Sequence, residues 1–352
     1  MERALFVAER GRGRTTPNPI VGAVVVSPAG IVVGQGAHLQ AGGPHAEVVA
    51  LDAAGDSAAG ATLYCTLEPC SHAGRTGPCA VRIVEAGVRR VVAAVRDPNP
   101  SVAGEGYAYL RHHGVEVSEH VGEAAASLQH APFFTWIGEQ RPFVTAKTAV
   151  SRDGFVGRAG TPTRLTGPDA DRYFQRQRAE VDAIMVGSRT VLVDDPLLTA
   201  RGAYRYRPLA RVLVDWNGQI RPESRVFSTL GAGPVIMFVS GQSAAQGAAW
   251  DALRTRGVVV ERLPARSLSA ALMQLATRDI VSLLVEGGPA LQSALFDAGL
   301  VDRLQWIDTP VTLSGGVAAS KAAAAIRAAS RPDRTRDLGE DRLLEFDVHR
   351  PH

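Results

Sequence analysis

Cysteines, aromatics and long apolar runs are scarce in this chain. Three cysteines among 352 residues are an odd count that builds no disulfide framework, and they suit a reducing compartment, the cytoplasm. No apolar stretch approaches the ~20 residues that cross a bilayer. Residues 1–14 are charged and amphipathic and lack a signal-peptide core. Net charge is only +3, the arginines are spread along the chain, and aromatics make up 6%. A nucleic-acid binder would want a basic face and stacking rings, so no nucleic-acid partner is expected. The Gly-x-Gly-x-x-Gly fingerprint of dinucleotide folds is missing as well. What is present is ordinary globular composition, 45% hydrophobic and 21% charged, which argues against disorder. The length suits two domains of ~100–200 residues each.

Periodicity divides the chain into two α/β parts. In the first, strands are expected at 20–26, 31–34, 61–66 and 88–95, and helices at 45–54 and 78–86, the latter ending at Gly87. This β-β-α-β-α-β order predicts an α/β sandwich. Residues 138–142 read as a short polar linker. Beyond it, strands are expected at 143–150, 183–186, 211–215, 235–239, 258–260 and 280–285, and helices at 168–178, 267–277 and 289–298. That alternation predicts a doubly wound α/β domain. From Ser314 onward the sequence is Ala- and Arg-rich and carries no clear pattern.

The densest chemistry is His45-Ala46-Glu47, followed by Pro69-Cys70 and then Cys79. One imidazole and two thiolates can hold zinc and leave a fourth position for water. A carboxylate two residues after the His can carry the protons that hydrolysis moves. The set suits removal of an amino group from a ring carbon. It is the zinc-deaminase signature, except that eight residues rather than two separate the cysteines. A closed structural zinc site is the competing reading. It needs a fourth ligand, for which Cys65, mid-strand, and His72, between the cysteines, are the nearest candidates. His38, His72, His112, His113, His120 and His130 otherwise read as surface or loop residues.

These residues resemble the cytidine and deoxycytidylate deaminase superfamily. Thr15-Thr16-Pro17-Asn18-Pro19-Ile20-Val21-Gly22, and the run from Thr66 to Cys79 with Ser71-His72-Ala73-Gly74-Arg75-Thr76 inside it, resemble a narrower family. It is the bifunctional deaminase–reductase family of riboflavin biosynthesis. Asp97-Pro98-Asn99-Pro100 and Val102-Ala103-Gly104 fit it too, and the resemblance covers essentially the whole chain. It implies a cytidine-deaminase-like α/β/α sandwich over 1–139 and a dihydrofolate-reductase-like α/β domain over 140–352. It implies Zn2+ on His45, Cys70 and Cys79, Glu47 as proton shuttle, and a phosphorylated pyrimidine substrate contacted by Asn18. On its own, Asn18 between two prolines reads as a turn residue. A cytoplasmic homo-oligomer with no membrane partner is expected.

For the second domain the resemblance rests on Lys147-Thr148-Ala149-Val150-Ser151-Arg152-Asp153-Gly154, Asp194-Asp195-Pro196-Leu197-Leu198-Thr199-Ala200-Arg201 and Val285-Glu286-Gly287-Gly288-Pro289. It implies NADPH, used to reduce a ribosylamino group to ribitylamino. Ala149, Thr190, Asp194 and the run Gly288, Pro289, Ala290, Leu291, Gln292, Ser293, Ala294 fall at cofactor positions. Arg178, Leu198, Arg201 and Glu286 fall at substrate positions, where guanidinium forks suit a sugar phosphate. Without the resemblance, the arginines read as solubilising surface, and Gly287-Gly288 reads equally as a phosphate-binding helix start and as a plain strand-to-helix turn. One run departs from the family. Where Ser-x-Trp-Ile-Thr is usual, this chain has Pro162-Thr163-Arg164-Leu165-Thr166, which removes an aromatic expected on the cofactor and a Ser expected on the substrate. Three other functions share parts of the pattern. They are a nucleic-acid or nucleotide deaminase, a deaminase carrying a degenerate reductase domain, and a zinc-stabilised binding protein.

Overall fold

A computed structural model describes residues 1–71, 77–99, 103–240 and 247–348. His72 and the 72–76 part of the family motif, together with Pro100 and Val102, lie outside the described residues. The chain forms two compact units, Met1–Gln140 and a second that starts at Arg141.

The first unit contains α1 (Glu2–Ala8), β1 (Gly22–Val26), β2 (Val32–Ala37), α2 (Ala46–Ala54), β3 (Thr62–Cys65), α3 (Cys79–Glu85), β4 (Arg90–Ala93), α4 (Glu105–His112), β5 (Glu116–Ser118) and α5 (Glu123–Glu139). Its five strands lie in the order β2-β1-β3-β4-β5. β1 is antiparallel to both neighbours, whereas β3, β4 and β5 are parallel. The sequence expectation stopped at β4. The elements α4, β5 and α5 complete the sandwich, and α5 escapes a pattern search because its Glu-Ala-Ala-Ala-Ser-Leu-Gln-His-Ala-Pro-Phe-Phe-Thr-Trp run has no single apolar stripe. Helix α2 buries Ala46, Glu47, Ala50, Leu51 and Ala54. It lies so close to β2 that a Cβ on Gly34 would stand 2.2 Å from the Ala50 carbonyl oxygen, and one on Gly36 2.4 Å from that of Ala46. Only glycine allows this approach, which fixes the helix start that carries His45 and Glu47.

The second unit contains β6 (Phe143–Val150), β7 (Phe155–Gly157), α6 (Pro168–Glu180), β8 (Ala183–Gly187), α7 (Ser188–Asp194), β9 (Ala210–Val214), β10 (Val235–Ser240), α8 (Gly247–Thr255), β11 (Val259–Leu263), α9 (Leu268–Ala276), β12 (Ser282–Val285), α10 (Pro289–Asp297), β13 (Arg303–Asp308), β14 (Val317–Ala318), α11 (Lys321–Ala329), β15 (Arg334–Leu338) and β16 (Asp341–Asp347). Nine strands form one sheet in the order β11-β10-β9-β8-β12-β6-β13-β16-β15. All pairs from β11 to β13 are parallel, and β16 and β15 add an antiparallel edge. In β12, Leu283, Leu284 and Val285 are buried, as an inner parallel strand requires. The antiparallel hairpin falls in the stretch where the sequence carried no pattern. Its strands, Arg334–Leu338 and Asp341–Asp347, are rich in charge and pair across a two-residue turn. The polar linker expected at 138–142 is shorter in fact. α5 runs to Glu139, and Arg141 is buried in a bidentate pair with Asp302 at 2.7 and 2.8 Å.

Candidate active sites

In the first unit, three donor atoms converge where the loop after β3 meets the first turns of α2 and α3. His45 is the N-cap of α2, and Cys79 opens α3. Cys70 lies in the loop and takes the place of a helix cap. Its carbonyl accepts from the Ala80 N–H at 3.0 Å and its Sγ from the Cys79 N–H at 3.3 Å. Unpaired N–H groups and the helix dipole favour thiolate at such a position. His45 Nδ1 stands 3.2 Å from Cys79 Sγ and 3.5 Å from Cys70 Sγ, and the three ligand atoms all lie within 4.8 Å of one another. Tetrahedral zinc with ordinary Zn–N and Zn–S lengths sets such donors about 3.5–3.8 Å apart, so the donor set fits the ion. Among the described residues no fourth side chain joins this group. Cys65 is fully buried in β3 with its Sγ 3.9 Å from the Val92 carbonyl oxygen.

The electrostatics suit a cation. The Cys79 thiol, against the opposing effect of burial, and then His45 and the Cys79 N–H hold Cys70 down at about 4. Cys79 is pushed up, first by its neighbour Cys70 and then by burial. A metal ion is what lets both sulfurs be thiolates together. Glu47 is 3% exposed, and burial raises its carboxyl to about 7, with Cys70 adding to the rise and His45 opposing it. That places it where a proton carrier works best near neutral pH.

Two histidines read from sequence as surface or loop residues are buried. His38 is 3% exposed and His130 1%. Each spends a ring N–H on a backbone carbonyl, His38 Nδ1 on Pro44 at 2.9 Å and His130 Nε2 on Thr66 at 3.1 Å, which is how a neutral imidazole is buried. His112, His113 and His120 are exposed. Asn18 is tied to this region, its Nδ2 lying 3.1 Å from His38 Nε2. Glu68 carried no sequence expectation. Its buried carboxylate accepts from the N–H groups of Asp97, Gly104 and Gly106 at 3.3, 3.0 and 3.1 Å, anchoring the loop that carries Cys70.

In the second unit, three cavities adjoin at the carboxyl ends of β6, β8 and β12, where open α/β sheets bind ligands. A polar one of about 660 Å³ is lined by Lys147, Ala149, Asp171, Gln292 and others. A more apolar one of about 530 Å³ shares Thr190, Asp194, Gly288 and Pro289 with it and adds Trp216, Leu268, Ala290, Leu291 and Ala294. A third of about 550 Å³ holds Arg172, Arg176, Arg178, Arg201 and Glu286. The structure thus brings together most residues assigned from sequence. Leu198 and Ser293 are the exceptions. The Leu198 side chain is 4% exposed in the core, on a left-handed backbone with φ of 54°, and Ser293 Oγ bonds Ser320 Oγ at 3.0 Å.

Arg178 does not present the free fork expected for a phosphate. Its Nε and one terminal nitrogen each donate to Glu286 at 2.7 Å, and the other donates to the Thr199 carbonyl at 3.2 Å. Burial would raise the Glu286 carboxyl, but Arg178, helped by Lys147, holds it down to about 2. The Arg201 guanidinium, in contrast, has no hydrogen bond or ion pair among the described residues, where only its backbone N–H is used. Lys147 was quoted in a motif but given no role. It lines the 660 and 550 Å³ cavities, its ammonium 4.7 Å from the Phe174 ring centre. Asp194 is raised by burial. Arg164, in place of the family aromatic, lines the 660 Å³ cavity and is held by Asp171 at 2.6 Å and the Thr166 carbonyl at 3.2 Å.

The residues fit a nicotinamide dinucleotide on two counts. Gly287-Gly288 leads into α10 and lines the 660 Å³ cavity, and the absence of a Cβ on Gly287 lets the turn pack against Leu291, since a Cβ there would stand 2.7 Å from the Leu291 side chain. Gln292 gives both amide hydrogens to backbone carbonyls, of Lys147 at 2.9 Å and Gly287 at 3.1 Å, which leaves a buried Oε1 in the cavity wall with no partner among the described residues.

Fold and sites together define a bifunctional enzyme in which a zinc-binding deaminase unit precedes a reductase unit. Comparison with known proteins agrees. A family model for the cytidine and deoxycytidylate deaminase zinc-binding region matches residues 1–95, and one for the RibD C-terminal domain matches 142–340. The riboflavin biosynthesis protein RibD of Aquifex aeolicus is 36% identical over 98% of this chain and 97% of its own. That of Escherichia coli is 39% identical over 86% and 85%. Among solved structures, Acinetobacter baumannii RibD superposes with a TM-score of 0.84 at 32% identity, covering 98% of this chain and 97% of that one. A Thermotoga maritima diaminohydroxyphosphoribosylaminopyrimidine deaminase/5-amino-6-(5-phosphoribosylamino)uracil reductase gives 0.85 at 33% identity, covering 99% and 97%. The chain belongs to the RibD family, the deaminase–reductases of riboflavin biosynthesis. No helix among the described residues is long and apolar enough to cross a membrane.

Proposed function

We propose that residues 1–139 hydrolytically deaminate 2,5-diamino-6-(5-phosphoribosylamino)pyrimidin-4-one, and that residues 140–352 reduce the ribosyl chain of the product to ribityl with NADPH. The observation that carries this reading is the buried carboxylate of Glu47 beside three converging zinc donors. Zinc on His45, Cys70 and Cys79 supplies the Lewis acidity that makes water a nucleophile near neutral pH. Glu47 takes one proton as the water oxygen bonds to the ring carbon bearing the amino group and hands it to the ring nitrogen. It then takes the second proton from the hydroxyl now on that carbon and hands it to the nitrogen, which departs as ammonia as the C–N bond breaks. Asn18 contacts the pyrimidine. The three free cysteines suit a reducing compartment, and we place the enzyme in the cytoplasm.

In the second unit NADPH, when bound, supplies hydride to the sugar carbon attached to nitrogen. The bond from that carbon to the ring oxygen breaks, and the oxygen takes a proton and becomes a hydroxyl. Arg201, with its guanidinium uncommitted, binds the substrate phosphate. Arg178 holds Glu286 in place as a carboxylate. Ala149, Thr190, Asp194 and the start of α10 form the cofactor side, and Gln292 Oε1 supports that assignment as a buried acceptor in need of a donor.

One observation favours a second reading, a deaminase whose reductase unit has degenerated: Arg164 stands where the family carries an aromatic. Incubating the protein with the diaminopyrimidine and NADPH, and identifying products by mass, decides between them. The bifunctional reading expects exchange of NH for oxygen followed by gain of two hydrogens. Exchange alone supports the degenerate reading.

A further inference from the structure

We propose that His38 is a positioning residue for deamination, which fixes the Asn18 amide so that its oxygen, and not its nitrogen, faces the pyrimidine. The proposal rests on the deaminase reading of the first unit. His38 Nδ1 lies 2.9 Å from the carbonyl oxygen of Pro44, a group that only accepts, so Nδ1 carries a hydrogen. The ring is 3% exposed and, among the described residues, pairs with no carboxylate, so it is buried as a neutral imidazole and Nε2 is a bare lone pair. The Asn18 amide stands 3.1 Å from that lone pair, and only its NH2 group can meet it. The carbonyl oxygen of the amide is therefore turned away from His38. The Asn18 backbone is locked as well. Its N–H donates to the Thr15 carbonyl at 2.9 Å, and Thr15 Oγ1 donates to its carbonyl at 3.0 Å.

The result is an acceptor held at a fixed angle in a partly exposed residue. It matches a pyrimidine edge that carries N–H donors, such as an amino group or a ring N–H. An amide free to flip would present its donors half the time and lose that discrimination. His38 also joins this contact to the metal site. The carbonyl it binds belongs to Pro44, the residue before His45, and the two imidazole rings meet edge to face at 5.4 Å and 79°.

The test compares His38→Phe, which keeps a ring but no nitrogens, with His38→Gln, whose amide can donate to Pro44 and accept from Asn18. Each is also made in an Asn18→Ala background. Zinc content is measured throughout, and ammonia release gives KM and kcat for the diaminopyrimidine. Positioning predicts about a three- to tenfold rise in KM for His38→Phe, the worth of one hydrogen bond, with zinc retained. It predicts near-wild-type KM for His38→Gln, and no further rise when His38→Phe is added to Asn18→Ala. A packing role predicts the reverse order of the two variants and equal cost in both backgrounds, and either result overturns the proposal. Loss of zinc in His38→Gln overturns it too. If His38→Phe does not fold, His38→Gln still decides, because a KM as high as that of Asn18→Ala contradicts the proposal. Absence of ammonia release from the wild type would instead bring down the deaminase reading, and this inference with it.

Discussion

Replacing Glu286 by Gln should destabilise the second unit by about 3 kcal/mol. Glu286 and Arg178 form a bidentate pair with side chains only 11% and 15% exposed. Removing the negative charge leaves a guanidinium buried and alone, for which losses of about 3–5 kcal/mol are usual. The carboxyl itself gives a similar figure. Held at about 2 in the fold against an ordinary 4.5, it corresponds to roughly 3 kcal/mol at neutral pH. Because the folded value is the lower one, this stability is present above pH 4.5 and is lost as pH falls from there towards 2. In calorimetry the second unit of Glu286→Gln should melt about 6–12 °C earlier at pH 7. The gap to wild type should shrink below pH 4.5. Arg178→Ala should cost as much, since it strands the carboxylate. Arg178→Met with Glu286→Leu should recover most of the stability while abolishing reduction. If Arg178→Ala melted like wild type and only raised KM for the phosphorylated substrate, Arg178 would be a phosphate ligand after all and the pair would have no structural weight.

Cys79→Ser should lose zinc and ammonia release together; a fully metallated, active variant would remove Cys79 from the ligand set. Arg201→Ala should raise the reductase KM by about ten- to a hundredfold, the worth of a charge-assisted hydrogen bond, and an unchanged KM would take Arg201 out of the site. Titration of NADPH by fluorescence should show tighter binding to Arg164→Trp than to wild type, because the aromatic contact is restored; failure of both to bind would favour a degenerate reductase.

The zinc group was legible because its three ligands fall within one short stretch of sequence, two of them at helix starts marked by Pro44 and Pro78. Most of the cavity residues of the second unit were reachable only through resemblance. Local patterns do not show that Gly287-Gly288 opens a cavity, or that Arg178 meets Glu286 across 108 positions. Arg178 lines the expected cavity, but its fork is spent on Glu286, and only the fold shows that a buried partner limits what a guanidinium can still bind. His38 and Glu68 were missed because burial comes from tertiary packing. His38 sits between β2 and the loop before α2, and nothing in its neighbours' periodicity says that a carbonyl and an amide will saturate its ring. The β15–β16 hairpin was hidden by composition, since its strands are rich in charge, show no period-two alternation and follow a stretch dominated by alanine and arginine.

Two separate chemistries share this chain under the proposed function, each with its own residues, and Glu47→Gln tests this most directly. The variant should keep one zinc per chain, because Glu47 is not a ligand, and should lose deamination by ~10²–10⁴-fold through loss of proton transfer. Given the already deaminated pyrimidine and NADPH, it should still oxidise NADPH at the wild-type rate. Loss of NADPH oxidation in a folded, zinc-loaded Glu47→Gln protein would contradict the claim and point to one shared site.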